Sequence, residues 1–260
     1  MIFDTHAHYD DEAFDTDRDE LLTSIKENGI CNIVNVGASM DSTKASVELS
    51  KKYDFMYTSV GVHPNETGEL TENDMYTLRK LSEDKKVVAI GEIGLDYHFL
   101  EPDKDIQKKW FRKQLDVAAE TGLPVIIHSR DAASDTMSIL KEYQGKLSGG
   151  VIHCYSYSLE MAKEYIKMGY YIGIGGVVTF KNAKKLIEVA ENIALENIVL
   201  ETDCPYLSPE PNRGKRNDST NLHYVVKKIS ELRGISEEEI IEQTYKNALD
   251  LYKFCLLYTS

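Results

Sequence analysis

Apolar and polar positions follow two different periods along this chain. Eight short apolar runs, rich in β-branched residues, are separated by longer segments in which apolar residues recur at helical spacing. The runs cover residues 2–5, 30–36, 56–62, 87–90, 124–127, 150–152, 170–174 and 198–200. In the segment 106–120, for example, Trp110, Leu115 and Ala119 share one side of a helix. The pattern predicts eight strands that alternate with helices.

Three glycines mark predicted helix ends. Gly29, Gly122 and Gly169 each stand just before the next apolar segment. A glycine in this place suits the left-handed backbone conformation that closes a helix and turns the chain into a strand. We therefore expect helices to end at these residues.

Nearly all-apolar strands, each followed by a helix, are typical of parallel strands whose outer face the helices cover. Eight such units in 260 residues are what a closed barrel requires, so we predict an α/β protein with a single-domain (β/α)8 TIM barrel over residues 1–254. An open doubly wound sheet is the alternative. Residues 255–260 continue no pattern and are predicted to be a disordered or foreign tail.

Charge and cysteine content narrow the classes of function. The chain has 43 Asp and Glu against 30 Lys and Arg, which argues against loose electrostatic binding to long DNA but permits a nuclease whose metals meet the phosphate. Its four cysteines form no CxxC pair, which indicates a reducing, cytoplasmic compartment. No apolar run approaches the roughly 18 residues that cross a bilayer, and the N-terminus lacks the pattern of a secretory signal, so no membrane partner is expected.

Residues able to bind a metal follow six of the eight apolar runs. They are His6 with His8, His63, Glu92, His128, His153 and Asp203. The carboxyl ends of barrel strands surround one mouth, where the active sites of this fold lie. A lone histidine after an apolar run is more often a hydrogen-bonded core residue, but five of the seven histidines share this position, which favours a site.

The donor set suits two divalent ions. Four histidines and two carboxylates, with Glu92 between two histidine pairs in strand order, can hold two cations that share one carboxylate. Imidazole ligands suit Zn or Mn, whereas Mg prefers more oxygen. The sequence predicts two divalent metal ions and leaves their identity open among Zn, Mn and Mg.

The motifs around these residues form an ordered set. They are His6-Ala7-His8, Gly61-Val62-His63-Pro64, Gly91-Glu92-Ile93-Gly94-Leu95-Asp96-Tyr97, His128-Ser129-Arg130, His153-Cys154-Tyr155-Ser156 and Glu201-Thr202-Asp203-Cys204-Pro205-Tyr206-Leu207. The set resembles the TatD family of metal-dependent deoxyribonucleases, in register from residue 1 to about residue 254. The resemblance implies an amidohydrolase-like TIM barrel, one or two divalent ions and phosphodiester hydrolysis on DNA. It assigns the ligand role to His6, His8, Glu92, His128, His153 and Asp203.

Three positions depart from the family pattern. Asn65 stands where many relatives carry a histidine, Tyr157 where a glycine is common, and residues 218–220 where a Glu-Pro stretch is usual. None of these is a proposed ligand, so the departures bear on substrate fit.

The donor set and the resemblance together predict a DNase that acts like a 3'-5' exonuclease on single strands or ends, through a water activated by two metals. One ion would be held by His6, His8 and Asp203, the other by His128 and His153, with Glu92 between them. Glu92 and Asp203 are the predicted catalytic residues. Glu92 lies between the two ions, and Asp203 can also accept the proton of the attacking water.

A second set of side chains is predicted to meet substrate phosphates. The set is His63, Arg130, Arg213 and Arg216. The last two lie in the polar stretch 208–221 after the final apolar run, where a barrel carries a functional loop.

Aromatic and thiol side chains also adjoin the motifs. Tyr97 and Tyr206 could stack on a base, although tyrosines near a barrel rim are more often packing residues. Cys154 and Cys204 each directly follow a proposed ligand, but neighbouring residues of a regular strand point to opposite faces, so we expect buried thiols behind the site.

Two other classes of function stay open. A related metallo-barrel could hydrolyse ester or C–N bonds, for instance in an aminoacyl-tRNA deacylase, although cyclic amidases often have a carbamylated lysine where this chain has Glu92. A non-catalytic metal-binding protein would be expected to lack a ligand, and the sequence retains all of them. Nothing in the sequence demands more than a monomer.

Overall fold

The strands of the sheet run parallel and in chain order. The structure, a computed structural model, describes residues 1–99 and 101–254, so the predicted tail at 255–260 lies outside the described residues. Eight parallel strands form one sheet in which each strand pairs with the next. They are β1 Ile2–Ala7, β2 Ile30–Val36, β3 Met56–Val60, β4 Val87–Asp96, β5 Val125–Arg130, β6 Gly150–Ile152, β7 Tyr170–Ile174 and β8 Ile198–Leu200.

Helices connect the strands and cover the outside of the barrel. They are α1 Arg18–Ile25, α2 Met40–Ser50, α3 Glu72–Leu81, α4 Lys104–Thr121, α5 Ala133–Glu142, α6 Leu159–Lys167, α7 Lys184–Asn192, α8 Leu222–Arg233 and α9 Glu237–Leu251. The predicted (β/α)8 TIM barrel is confirmed. Within the described residues, no helix combines the length and the apolar character needed to cross a membrane.

The predicted helix features hold with one change. Gly29, Gly122 and Gly169 have positive φ angles of 81°, 69° and 88°, as expected of residues that close a helix. On α4, Trp110 and Leu115 are buried as predicted, but Ala118 rather than Ala119 completes the buried side.

Three strands continue past the apolar runs that predicted them, and the first of these, β1, reaches Ala7. β4 reaches Asp96 and β5 reaches Arg130, and pairing of Gly94 with His128 keeps the two strands in register. The ladder joins backbone groups, so polar side chains that face the mouth do not interrupt it. Glu92 and His128 therefore lie within strands rather than after them.

β3 ends at Val60, two residues before its apolar run ends. The backbone of Val62 makes its hydrogen bonds with a side chain and not with a neighbouring strand. Gln114 on α4 accepts a hydrogen bond from the N–H of Val62 at 2.8 Å and donates one to its carbonyl at 3.0 Å. The residue that follows, His63, is thereby held at the end of the strand.

Apolar side chains fill the end of the barrel where the strands begin. Phe3, Val88 and Ile126 lie near the starts of their strands and cluster with Tyr252 and Phe254, which follow α9. The chain after α9 thus covers this end, and the opposite end is left to polar side chains.

The barrel closes between β8 and β1 mainly through side chains. In the described part of the chain, an isolated bridge joins β1 to the segment after β8 in place of a ladder. The buried carboxylate of Asp4 accepts hydrogen bonds from the backbone N–H and the hydroxyl of Thr202, at 3.0 and 2.6 Å, and from the hydroxyl of Ser219 at 2.6 Å. This seam fixes the backbone immediately before Asp203.

Replacing Asp4 tests the seam. The backbone N–H of His6 also donates to Asp4, at 3.3 Å, so Asp4→Ala leaves four buried donors without their acceptor. We expect the free energy of unfolding to fall by about 3 kcal/mol, measured by urea or thermal unfolding. Asp41→Ala removes an exposed carboxylate and should change it by less than about 0.5 kcal/mol. An Asp4→Ala protein as stable as the wild type would contradict the role given to the seam.

Candidate metal centre

The carboxyl ends of the strands open into a cavity of about 1010 Å³. Its wall includes five of the six predicted ligands, namely His8, Glu92, His128, His153 and Asp203. The sixth, His6, is buried in β1, two residues before His8, and strand alternation turns both rings to the same side. The structure therefore brings the six predicted ligands to one place.

The first cluster, the histidine–aspartate group, consists of His6, His8 and Asp203. The Nε2 atoms of the two histidines lie 3.0 Å apart, and Asp203 Oδ1 is 3.5 Å from His6 Nε2 and 3.3 Å from His8 Nε2. The backbone N–H of Asp203 donates to the carbonyl of His6 at 2.9 Å, which joins the two strand ends directly.

The second cluster, the histidine trio, consists of His63, His128 and His153. Their nitrogens surround one oxygen of Glu92: His128 Nδ1 lies 2.7 Å, His153 Nε2 2.9 Å and His63 Nε2 3.7 Å from Oε1. His63 was predicted to meet substrate phosphate, and the structure places it in the cavity wall beside two predicted ligands, in a group that could also hold a metal ion.

Glu92 lies between the two clusters. Its other oxygen, Oε2, is 3.4 Å from His6 Nε2 and 3.8 Å from His8 Nε2. The residue is only 3% exposed. Burial by itself would raise its pKa, but the surrounding imidazoles hold the pKa of Glu92 well below its usual range, so the carboxylate is charged. A charged carboxylate that faces two donor groups has the geometry of a bridging ligand.

Protonation differs among the imidazoles. Burial lowers the pKa of His6 to about 4 and the pKa of His63 to about 3, so these rings are neutral at neutral pH and keep a lone pair. Burial acts in the same direction on His153, but Glu92 outweighs it and raises that pKa to about 10. The carboxylates thus favour protonated, positively charged imidazoles in the cluster. A divalent cation can supply the same positive charge in place of those protons.

The spacing of the donor atoms also fits a cation. A metal with ligands at about 2.1 Å holds neighbouring ligands of a tetrahedron about 3.4 Å apart. The distances from Asp203 Oδ1 to the two histidines of its group, 3.3 and 3.5 Å, match this separation. Imidazole nitrogens combined with carboxylate oxygens are a donor set for Zn or Mn. The described residues therefore contain groups that could hold metal ions.

Asp96 was not singled out from the sequence. It is buried, its Oδ2 atom lies 3.2 Å from His128 Nε2, and Gln107 on α4 binds both its backbone N–H and its carbonyl, at 2.8 and 2.9 Å. A carboxylate on the second ring nitrogen fixes the orientation of a ligand histidine. Alternation along β4 from Glu92 would have pointed to Asp96 had the strand been predicted to continue.

Glu201 was also missed as a site residue. It is buried, and its Oε1 atom accepts the backbone N–H of Cys154 at 2.5 Å and lies 3.7 Å from His153 Nδ1. A Cβ atom at Gly173 would lie 2.4 Å from Glu201 Oε2, so the absence of a side chain there makes room for the carboxylate. The Gly-Ile-Gly-Gly sequence that ends β7 thus accommodates an acid beside the histidine trio.

Of the three arginines predicted to bind phosphate, one lines the cavity and two do not. Arg130 lines the cavity, at the end of β5. Arg213 and Arg216 lie in the predicted loop but outside the cavity wall: Arg213 stacks on Phe180 at 4.3 Å, and Arg216 pairs with Asp17 through contacts of 2.7 and 2.6 Å. The guanidinium of Arg216 is already occupied by a carboxylate.

The two cysteines differ in position. Cys204 is buried as expected, but Cys154 is half-buried and lines the cavity. Cys154 has a positive φ of 45°, so the alternation of a regular strand does not apply to it. Burial raises the pKa of both thiols well above the usual value, which makes them neutral and poor metal ligands.

The two tyrosines also differ. Tyr206 stands at the rim, where its hydroxyl donates to Asp11 at 2.8 Å. Tyr97 lies outside the cavity wall and donates to Asp135 at 2.6 Å, with the ammonium of Lys104 over its ring. Tyr97 is a packing residue.

Comparison with known proteins places this arrangement in a family. The model of TatD related DNase matches residues 3–253. The uncharacterized metal-dependent hydrolase YabD of Bacillus subtilis (strain 168) is 45% identical, over 97% of this chain and 99% of that protein. The 3'-5' ssDNA/RNA exonuclease TatD of Cronobacter sakazakii is 31% identical, over 96% of this chain and 97% of its own length. The crystal structure of YJJV, a TatD homologue of Escherichia coli, is 30% identical with a TM-score of 0.91, and covers 97% of this chain and 98% of its own. This chain therefore belongs to the TatD family of metal-dependent hydrolases.

Proposed function

We propose that this protein hydrolyses phosphodiester bonds of DNA with two divalent metal ions, and that it acts in the 3'-5' direction on single strands or strand ends. The observation that carries the proposal is the position of Glu92, whose two oxygens face two separate groups of ligand atoms. A shared carboxylate of this kind holds two cations close together. The exonuclease among the relatives supports a nucleic-acid substrate.

Each ion has its own set of side chains in this proposal. The histidine–aspartate group would hold one, the histidine trio would hold the other, and Glu92 lies between the two groups. A bound divalent ion would lower the pKa of a water toward neutrality and offset the charge that develops on the phosphoryl oxygens.

Asp203 is the proposed proton acceptor. Burial acts to raise its pKa, but the hydrogen bond with His8 holds the pKa of Asp203 below its usual value, so the carboxylate is charged and can take a proton. Asp4 holds the preceding residue, Thr202, and this contact fixes the position of the acceptor at the cavity wall. Asp203 is also the more accessible of the two catalytic carboxylates, with 18% of its side chain exposed against 4% for Glu92.

We further propose a cytoplasmic monomer. Cys31, Cys154 and Cys204 are free thiols, as a reducing compartment allows. The inferred site is complete within one chain, since both ligand clusters and Glu92 come from the same barrel.

Removing either catalytic carboxylate should abolish hydrolysis. In an oligonucleotide digestion assay with added Mg, Mn or Zn, we expect Glu92→Gln and Asp203→Asn to lose at least about 10²-fold to 10³-fold in kcat while circular dichroism shows a folded protein. Glu191→Gln, which alters an exposed carboxylate on α7, is the matched control.

The same assay separates the proposal from its alternatives. The metal-loaded wild type should shorten single-stranded DNA from its 3' end and should be inactive with EDTA. Turnover of an ester or a cyclic amide without turnover of DNA would overturn the proposed substrate. Full activity in either carboxylate variant would overturn the proposed roles.

Ligand variants should remove the ions selectively. We expect His8→Ala to lower the metal content at one site, His153→Ala at the other, and Glu92→Ala at both, as measured by elemental analysis after dialysis against limiting metal. Loss of the same single ion from both histidine variants would show that the protein holds one metal and not two.

Asp96 should affect metal affinity through His128. Asp96→Asn keeps the shape of the side chain but weakens its hold on the ring, so we expect metal affinity to fall about 10-fold to 100-fold in a competition titration with a chelator. Asp105→Asn changes an exposed carboxylate on α4 and should leave the affinity unchanged. An Asp96→Asn protein that binds metal like the wild type would reduce Asp96 to a purely structural residue.

A further inference from the structure

Phe99 presents an exposed aromatic ring at the mouth of the cavity. The ring is part of the cavity wall, and the residue is 52% exposed. A single exposed apolar side chain is ordinary on a protein surface, but this one lies in the wall of the cavity that contains the candidate ligands. Phe99 makes no contribution to the metal centre, so its position calls for another partner.

Arg130 lies against this ring. Its guanidinium carbon is 5.6 Å from the ring centroid of Phe99. Among the described residues, Arg130 is the only lysine or arginine in the cavity wall, and no carboxylate of a described residue forms an ion pair with it. The backbone of Arg130 is fixed because β5 pairs it with Asp96 and its carbonyl accepts the N–H of Tyr97 at 2.9 Å.

The rest of the rim carries negative charge. Asp10, Asp11 and Glu66 belong to the wall. A polyanion that reaches the metal centre is repelled by these carboxylates and attracted by Arg130. The cationic approach to the centre therefore passes beside Phe99.

The position of Arg130 relates this approach to the ligands. Arg130 and His128 are two residues apart on β5, so they point to the same side of the strand and their Cα atoms are about 6.6 Å apart. A phosphate bound by Arg130 would be a near neighbour of a phosphate bound at the histidine trio. The ring of Phe99, whose centroid is 5.6 Å from the guanidinium carbon of Arg130, is next to the place where such a phosphate would bind.

Tyr206 provides a second ring on the other side of the mouth. It follows β8, whereas Phe99 follows β4, and strands four apart in an eight-stranded barrel lie on opposite sides. Its ring centroid is 6.5 Å from that of His8. The metal centre thus has an aromatic ring on each side.

We propose that Phe99 and Arg130 form a nucleotide subsite in which an unpaired base stacks on Phe99 and the phosphate of that nucleotide pairs with Arg130. A base inside a duplex keeps its faces stacked on its neighbours, so the subsite requires a single strand or a frayed end. The inference rests on the proposed nuclease function, which it deepens by naming what the rim contacts.

Binding without turnover tests the subsite separately from catalysis. The probes are a fluorescent thymidine oligonucleotide and an abasic oligonucleotide with the same number of phosphates, titrated in EDTA and low salt and followed by anisotropy. The wild type should bind the thymidine probe about 5-fold to 150-fold more tightly than the abasic probe, the range expected for stacking of one base. Phe99→Ala should lose this ratio and Phe99→Trp should keep it.

Matched variants isolate the two contributions. Tyr76→Ala removes an equally exposed ring, 57% exposed and outside the cavity wall, and should leave the ratio unchanged. Arg130→Ala should weaken binding of both probes, whereas Arg213→Ala should weaken them much less.

The outcomes distinguish this inference from the proposed function. Base-dependent binding that is lost in Phe99→Ala supports the subsite even if the metal-loaded wild type fails to cleave DNA, which would overturn only the nuclease proposal. A ratio unchanged in Phe99→Ala, a ratio of one in the wild type, or no binding of either probe would overturn the subsite.

Discussion

Glu92 places a negative charge in the interior of the barrel, and the mouth is arranged around that charge. An isolated carboxylate at this depth would be strongly destabilising. Imidazole rings on both sides offset the charge, and the same rings are the donors that a divalent cation needs. Compensation of one buried carboxylate thus accounts for the convergence of the histidines and for the suitability of the site for metal chemistry.

Buried polar side chains of the barrel hold the strand ends that carry the residues around Glu92. Gln107 and Gln114 lie seven residues apart on one side of α4, and each holds the backbone of a strand end, at Asp96 and at Val62. Across the barrel, Asp4 holds the backbone that leads to Asp203. The packing of α4 and the closing of the seam therefore set the geometry of the metal centre.

The charge distribution limits where an anion can be held at the mouth. The chain is acidic, with a net charge of −13, and the rim of the cavity shares this character. An anionic substrate has no general attraction to such a surface, so it is held only where cations and specific contacts are provided. A guanidinium beside an aromatic ring at the rim is a contact of this kind, and metal ions held by the ligand clusters would be another.

The sequence by itself determined the barrel and the set of candidate ligand residues, because strand and helix periods are local and because residues after successive parallel strands must meet at one mouth. The positions of Asp96, Glu201 and His63 around Glu92 were decided by the tertiary structure, since they depend on how far each strand continues and on which rings share an oxygen. Arg216 shows the same limit: the basic loop is evident in the sequence, but its carboxylate partner, Asp17, lies 199 residues away. Cys154 turns into the cavity because its backbone leaves the regular strand conformation, which the alternation of residues does not reveal. Local patterns specify elements and candidate donors, whereas contacts between distant segments decide what each donor faces.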